Sequence, residues 1–350
     1  PYSFGRPSSG GSKAAYPCKS YGQGRINPAY FYGIFDPNDM RRDVSITMTG
    51  SNGKGVEKLI PFVPNSKAEG GGLTLNKWDE NRQANPWVAA QRKSGINGPY
   101  MRMSEVYLGY AEVCAALGDV VTGKQYLKTV RERSFPQGLA DTDGFIASFG
   151  NDLVRAIIEE RGFEYAGEGD RRWTLIRSGY LPEDIKRIKD MTKAMMDGLA
   201  TKGYYEFENG NIISAYIWTK LVDAKTIYGH RLTAQCPTDK VNDPVLYPGW
   251  RGQKDNWEEM GLNYGSSTPA TNLAIKGLFE IVSEEEAASL ESQGYTKVNW
   301  GIDLVDNRDE YDKYLFWDYD YVSAPIYLWP FTPNVMAAGG FTNGYGFKQE

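Results

Sequence analysis

The sequence predicts a mainly α fold, with helix pairs at its centre and long irregular loops draped over them, and three stretches carry that expectation. From Met101 onward, Met103, Tyr107, Tyr110, Ala111, Cys114 and Leu117 recur mostly three and four residues apart, the spacing of one helix face. Gly118-Asp119 ends that helix, and a second runs through Gly123, Leu127 and Val130 until Phe135-Pro136 stops it. The third stretch, Ile157 to Gly179, packs acids, arginines and aromatics into what reads as a further helix-turn-helix.

In chain order, residues 1–99 are dominated by Gly, Pro, Ser and Asn. Short apolar runs such as Tyr30 to Phe35 and Val44 to Met48 predict a few brief helices or strands among loops. Ser51-Asn52-Gly53-Lys54-Gly55 and Gly70-Gly71-Gly72 read as tight turns. The first is not a phosphate-binding loop, because Met48 stands where that motif needs Gly and Gly55 where it needs Ser or Thr.

Residues 100–179 form the helical centre. The first helix pair is about as long as the 34-residue tetratricopeptide repeat. Ala111 and Gly123 supply small residues where two such helices must approach closely, and a lone unit leaves outer faces that need partner helices. Asn151 or Asp152 can cap the next helix, whose apolar positions Leu153, Ile157 and Ile158 lead to a break at Gly167 and Gly169. Trp173, Leu175 and Ile176 begin another apolar stretch. Residues 180–322 read as an elaborated loop region with helices near Asp184 to Leu199 and Glu284 to Ser292, and residues 323–350 as a closing segment of the same single domain.

Composition narrows the function. A hydrophobic share of 41% is enough to close a core, and 39 basic against 44 acidic residues give a net charge of -5, which argues against nucleic acid as a partner. Cys18, Cys114 and Cys236 are odd in number and widely spaced, so no disulfide framework or paired metal-ligand pattern is implied. His230 is the one histidine in the chain, which excludes histidine-rich metal sites. No apolar run is long enough to span a bilayer as a helix. The 24 tyrosines and 9 tryptophans exceed what a helical core requires, so some of them are expected on the surface or in a binding face.

Glu160 and Glu164 stand one helical turn apart and could serve as a glycosidase acid and nucleophile. The better reading is architectural: arginine forks match carboxylates and hold their pKa low, so Arg161, Arg171 or Arg177 are expected to pair with them and lock helices together. Cys114 is expected in the core and His230 in a loop, with no nucleophile motif nearby. Asp303, Asp306, Asp309, Asp312, Asp318 and Asp320 form an acidic run that lacks the glycine and terminal glutamate of a calcium loop, so a solvated face is expected. No catalytic, cofactor or metal residue is assigned.

Three landmarks now fall in one order. Tyr100 to Glu112 contains Arg102, Glu105, Tyr107-Leu108 and Tyr110-Ala111-Glu112. Glu160-Arg161, Glu164, Glu168-Gly169, Arg171, Leu175, Arg177 and Gly179 follow. Tyr327-Leu328-Trp329-Pro330-Phe331-Thr332-Pro333 and Asn343-Gly344-Tyr345 close the chain. In order and rough spacing these resemble the SusD/RagB family of outer-membrane nutrient-binding lipoproteins of Bacteroidetes. Departures are Thr174 where the family has Asp, the displaced Pro333, and no proline between Asn343 and Gly344.

The resemblance implies a cell-surface, lipid-anchored protein that captures an oligosaccharide and acts as the lid of a SusC-like, TonB-dependent outer-membrane transporter. It also implies that the family's N-terminal half, with its first helical repeats and lipidated cysteine, is absent from this chain, which then reads as a C-terminal portion. No cofactor is implied. A peptide-binding member of the same family, a glycoside hydrolase and a scaffolding repeat protein are the alternatives.

A sugar's C–H face gains from aromatic stacking while its hydroxyls need polar side chains nearby. Two stretches offer that combination. Tyr2, Tyr16 and Tyr21 lie among Gly and Ser near the start; Tyr247, Trp250, Arg251, Asn256 and Trp257 lie in the long insertion, whose tryptophans are the preferred ligand contacts.

Overall fold

The computed structural model describes residues 26–51, 57–59, 62, 72–75, 77, 98–135, 137–223, 271–309 and 331–340. The architecture is mainly α. Helices α3 (Met103–Ala116) and α4 (Val120–Glu132) fold back on each other across a tight turn. Gly118 takes φ +88° in that turn, a region that favours glycine, and the Asp119 side chain caps α4 by accepting from the Thr122 backbone N–H at 3.1 Å. Gly123 sits at the close approach: a Cβ there would stand 3.0 Å from the Ala111 carbonyl oxygen and 3.1 Å from Leu153 Cδ2.

After the short helix α5 (Thr142–Ala147), helix α6 (Leu153–Glu164) packs against both α3 and α4 and supplies the partner their inner faces need. Asp152 caps it, accepting from the Arg155 N–H at 3.0 Å. Leu108, Ala111, Leu127, Val130, Ala156 and Ile157 form the buried cluster between the three helices.

The inward face of α3 differs from the predicted one. Ser104, Leu108, Ala111 and Cys114 are buried, whereas Met103, Tyr110 and Leu117 are exposed. The reason lies in the sequence itself: Val106, Leu108 and Val113 make the helix apolar on nearly every side, so hydrophobic period alone could not select a face. Close packing on α4 and α6 selects the face that carries the small residues.

Gly167 and Gly169, at φ +80° and +88°, separate α6 from α7 (Asp170–Ser178), and Gly179 at φ +79° turns the chain into α8 (Leu181–Lys202). Helix α8 is longer than predicted at both ends. Pro182 is compatible with a first turn, Glu183 and Asp184 favour it electrostatically, and the helix stops only at Gly203, φ +77°.

A second, larger core forms where the N-terminal segment meets the region after α8. The run Tyr30 to Phe35 falls in α1 (Pro28–Gly33) and its exit, while Val44 to Met48 divides between α2 (Met40–Ser45) and strand β1 (Ile46–Thr47). Strand β1 pairs with β4 (Thr74–Leu75), and β2 (Thr49–Ser51) with β3 (Glu57–Leu59), both antiparallel. Phe31, Tyr32, Phe35, Met195, Met196 and Trp300 lie at the heart of this core.

Residues 180–322, predicted to be irregular beyond two helices, contain ordered sheet. Strands β5 (Tyr204–Glu206) and β6 (Ile212–Ser214) form a hairpin. Strand β7 (Tyr216–Asp223) is the middle of a three-stranded antiparallel sheet between β8 (Thr271–Lys276) and β9 (Thr296–Asn299). These pairings join segments far apart in sequence, so no local hairpin signal marks them. Helix α9 (Glu284–Ser292) occupies the predicted residues, with Ser283 accepting from the Glu286 N–H at 3.2 Å. Helices α10 (Gly301–Asp306) and α11 (Pro333–Gly339) complete the described elements. Among the described residues no helix is long and apolar enough to cross a membrane.

Candidate functional site: a charged helix and the cleft beside it

Helix α6 is buried along almost its whole length, and unusually it carries charges inward. Arg155, Glu159, Glu160, Arg161 and Glu164 are all buried. Ionised groups in such a place must be paired and hydrogen-bonded.

Arginines from several segments meet those carboxylates. Glu160 accepts from Arg41 at 2.5 Å and from Arg131 at 3.1 Å. Glu164 accepts from Arg41 at 3.1 Å, from Arg133 at 2.6 and 2.7 Å through both oxygens, and from Arg102. Burial alone would raise the Glu164 pKa, but the guanidiniums of Arg41, Arg133 and Arg102 outweigh it and bring it down to about 2. Glu159 faces the other way, toward Arg171 at 2.8 Å, Arg187 at 3.1 Å and Arg155 at 3.4 Å, and these likewise overcome burial to lower its pKa.

Arginine–carboxylate locking is present, yet the partners of Glu160 and Glu164 are not Arg161, Arg171 or Arg177. Arg161 reaches Asp170 at 2.5 Å and Arg177 pairs with Glu112 on α3. Arg171 holds Glu159 and Asp184, each at 2.8 Å. Successive residues on a helix point about 100° apart, so Glu159 turns to α7 and α8 while Glu160 and Glu164 share the face toward α2 and α4. Thr174 bridges, its hydroxyl donating to Asp170 at 2.8 Å and accepting from Arg161 at 3.3 Å.

This arrangement cannot run glycosidase chemistry through Glu160 and Glu164. A general acid needs a raised pKa, whereas Glu164 is held at about 2 and both side chains are saturated by guanidiniums. The helix is a clamp. Through Arg41 and Arg102 it ties α2 and the head of α3 to α6, joining residues more than 60 positions apart.

The predicted ligand contacts Tyr2, Tyr16, Tyr21, Tyr247, Trp250, Arg251, Asn256 and Trp257 lie outside the described residues, as does His230. Cys114 is a buried free thiol. Of the acidic run, Asp303 and Asp306 lie in α10 and Asp309 just beyond it, while Asp312, Asp318 and Asp320 lie outside the described residues. Burial raises the Asp303 pKa; Asn299 opposes the rise and Asp306 adds to it. Among the described residues no group of three or more His, Cys, Asp or Glu side chains is placed to hold a metal ion.

Beside the clamp lies a cleft of about 710 Å³, bounded by the end of α1, by α5, by α8 and by the β5–β6 hairpin. Phe145, Phe149, Phe163, Tyr205 and Phe207 line it, with Met191 between them. Phe145 meets Phe149 edge-on at 5.3 Å, and Tyr205 meets Phe207 edge-on at 4.8 Å. Asp36, Asp141, Asp190 and Glu208 also line it. Among the described residues its two cations, Arg131 and Arg187, are already committed to Glu160 and to Glu159 with Asp184. Sequence reasoning did not find this cleft, since its walls come from six separate stretches; Phe145 and Phe149, one turn apart, are the only local hint.

Comparison with known proteins places the chain. The family model described as the SusD family matches residues 5–330. A SusD-like protein of Formosa agariphila is 28% identical over 160 residues, covering 45% of this chain and 26% of that relative, so the matched region spans about a quarter of the relative's length. A crystal structure of a SusD superfamily protein from Bacteroides vulgatus aligns with 18% identity and a TM-score of 0.30 over 48% of this chain and 36% of that one. The landmarks at Arg102 and Glu160 to Gly179 fall inside the matched residues, the closing one from Tyr327 only as far as Pro330, and the chain belongs to the SusD family.

Proposed function

We propose that this protein captures an oligosaccharide at the cell surface and delivers it to a SusC-like, TonB-dependent transporter, serving as the lid of that barrel. The single observation that carries the reading is the family match over residues 5–330. Binding rather than catalysis is favoured by the α6 carboxylates, which are committed to arginines and unsuited to proton transfer. In this reading a lipid anchor holds the protein in the outer membrane.

Ligand contacts are assigned to Trp250, Trp257, Tyr247, Arg251 and Asn256, with Tyr2, Tyr16 and Tyr21 as a second group, because stacking rings beside polar side chains match a sugar's two faces. The test is a glycan array followed by calorimetry on the glycan best retained, with parent protein and with Trp250→Ala and Trp257→Ala. Each variant should weaken binding by about tenfold or more, in keeping with the loss of a stacking platform. Undiminished affinity in both would remove the insertion tryptophans, and retention of peptides with no glycan retained would overturn the oligosaccharide reading. Release of shortened glycans on long incubation would overturn the binding-only role.

A further inference from the structure

We infer that the cleft between α1, α5, α8 and the β5–β6 hairpin is a separate ligand site for an amino sugar, a sugar ring carrying a protonated amine. Its volume of about 710 Å³ falls in the range of small-molecule sites. Three features of the lining act on three parts of such a ligand.

The first is aromatic. Phe145, Phe149, Tyr205 and Phe207 offer ring faces and edges to the C–H face of a sugar, and aromatic faces also attract an ammonium. Phe163 and Phe207 are buried and hold the others in place by ring contacts, so these walls are preformed.

The second is uncompensated negative charge. Among the described residues five carboxylates and two guanidiniums line the cleft; Glu159 is paired with Arg155, Arg171 and Arg187, Asp190 with Lys186, and Arg131 is spent on Glu160. Among the described residues Asp36, Asp141 and Glu208 have no ion-pair partner; Asp36 and Asp141 each use one oxygen on a backbone N–H, of Asn38 and Gly144, both at 2.8 Å. The remaining lone pairs meet a cation well and repel an anionic sugar.

The third is a pair of donors without acceptors. The Nε–H groups of Arg131 and Arg187, two lining residues, are buried and have no hydrogen-bond partner in the structure. Arg131 is 4% exposed, with its guanidinium carbon 3.9 Å from the Phe145 ring centroid, so it cannot swing out to water. A hydroxylated ligand, or water retained with it, brings the oxygen acceptors that a simple amine lacks.

The site shares no residue with the ligand contacts assigned above and stands or falls separately from them. Calorimetry at neutral pH and low salt with the glucosamine trimer, its N-acetylated counterpart and tri-lysine tests it, using the whole chain. The glucosamine trimer should bind about tenfold or more tighter than the N-acetylated one, and added salt should narrow the gap. The double variant Asp36→Asn, Glu208→Gln keeps shape and acceptors at two rim positions and should erase most of that preference. Trp250→Ala should leave it unchanged. Phe149→Ala should weaken the glucosamine trimer in protein whose circular dichroism matches the parent. Equal affinity for both trimers, tighter binding of tri-lysine, or indifference to the double variant would overturn the assignment.

Discussion

The indole N–H of Trp300 donates to the phenol oxygen of Tyr32 across 2.8 Å, although the two residues are 268 positions apart. Both are fully buried. Trp300 sits at the start of α10, and its ring packs on Phe62 with centroids 4.1 Å apart; Tyr32 lies in α1 and stacks on Phe207. One bond therefore fastens the N-terminal segment to the region beyond α8. Burial, opposed in part by the Trp300 bond, pushes the Tyr32 pKa upward.

Tyr32→Phe leaves that indole N–H buried with no acceptor. The expected cost is about 1–3 kcal/mol, the penalty for an unsatisfied buried donor. Urea denaturation should show a lower midpoint with an unchanged slope. A midpoint equal to the parent's would mean that the bond adds nothing to stability.

Acid should loosen the clamp through Glu164. Its carboxylate falls from an ordinary 4.5 to about 2 in the folded protein, so the stability it contributes is complete above the unfolded value and is lost as pH drops from roughly 5 to 2. A shift of that size corresponds to about 3 kcal/mol at neutral pH, as an order of magnitude. Glu164→Gln removes this titration. The variant should be less stable than the parent at neutral pH, and the gap should shrink toward pH 2; a gap that stays constant would exclude Glu164 as the titrating group.

The orientation of α3 gives a paired prediction. Leu108 is fully buried between helices, so Leu108→Ala should cost about 2–5 kcal/mol, while exposed Val113→Ala should change stability by no more than about 0.5 kcal/mol. Thermal denaturation of both variants decides it. Similar losses at the two positions would mean that the outer face of α3 is covered too.

Gly123 shows what was legible in the sequence and what was not. Its smallness, with that of Ala111, marked a close helix crossing, and the crossing is present because the demand is local: a Cβ has no room 3.0 Å from a carbonyl oxygen. Glycines at 118, 167 and 169 marked helix ends for the same kind of reason, a backbone at positive φ. Partner choice was not legible. Nothing near Glu160 in sequence points to Arg41, which lies 119 residues away, and the β7–β8 pairing depends on segments separated by nearly fifty residues. The cleft escaped for the same cause, since it exists only once α1, α5, α8 and a hairpin meet. Gly123→Ala should therefore destabilise by about 1–3 kcal/mol despite alanine's better helix propensity, and a raised melting temperature would show that α3 and α4 can separate to admit the methyl group.

Glu168 offers the sharpest separation of architecture from ligand binding. Arg102 grips both of its oxygens, Nε to one at 3.0 Å and Nη2 to the other at 2.8 Å, while Lys77 pairs with it as well. A glutamine keeps the shape and one acceptor but cannot return the two-oxygen charged grip, and it leaves Arg102 and Lys77 partly uncompensated in a largely enclosed place. Glu168→Gln should lower the melting temperature by an amount equivalent to about 1–3 kcal/mol. Because Glu168 braces the head of α3 against the end of α6, the surviving folded protein should hold its best array glycan as tightly as the parent. An unchanged melting temperature together with weakened glycan binding would move Glu168 from the clamp into a ligand site.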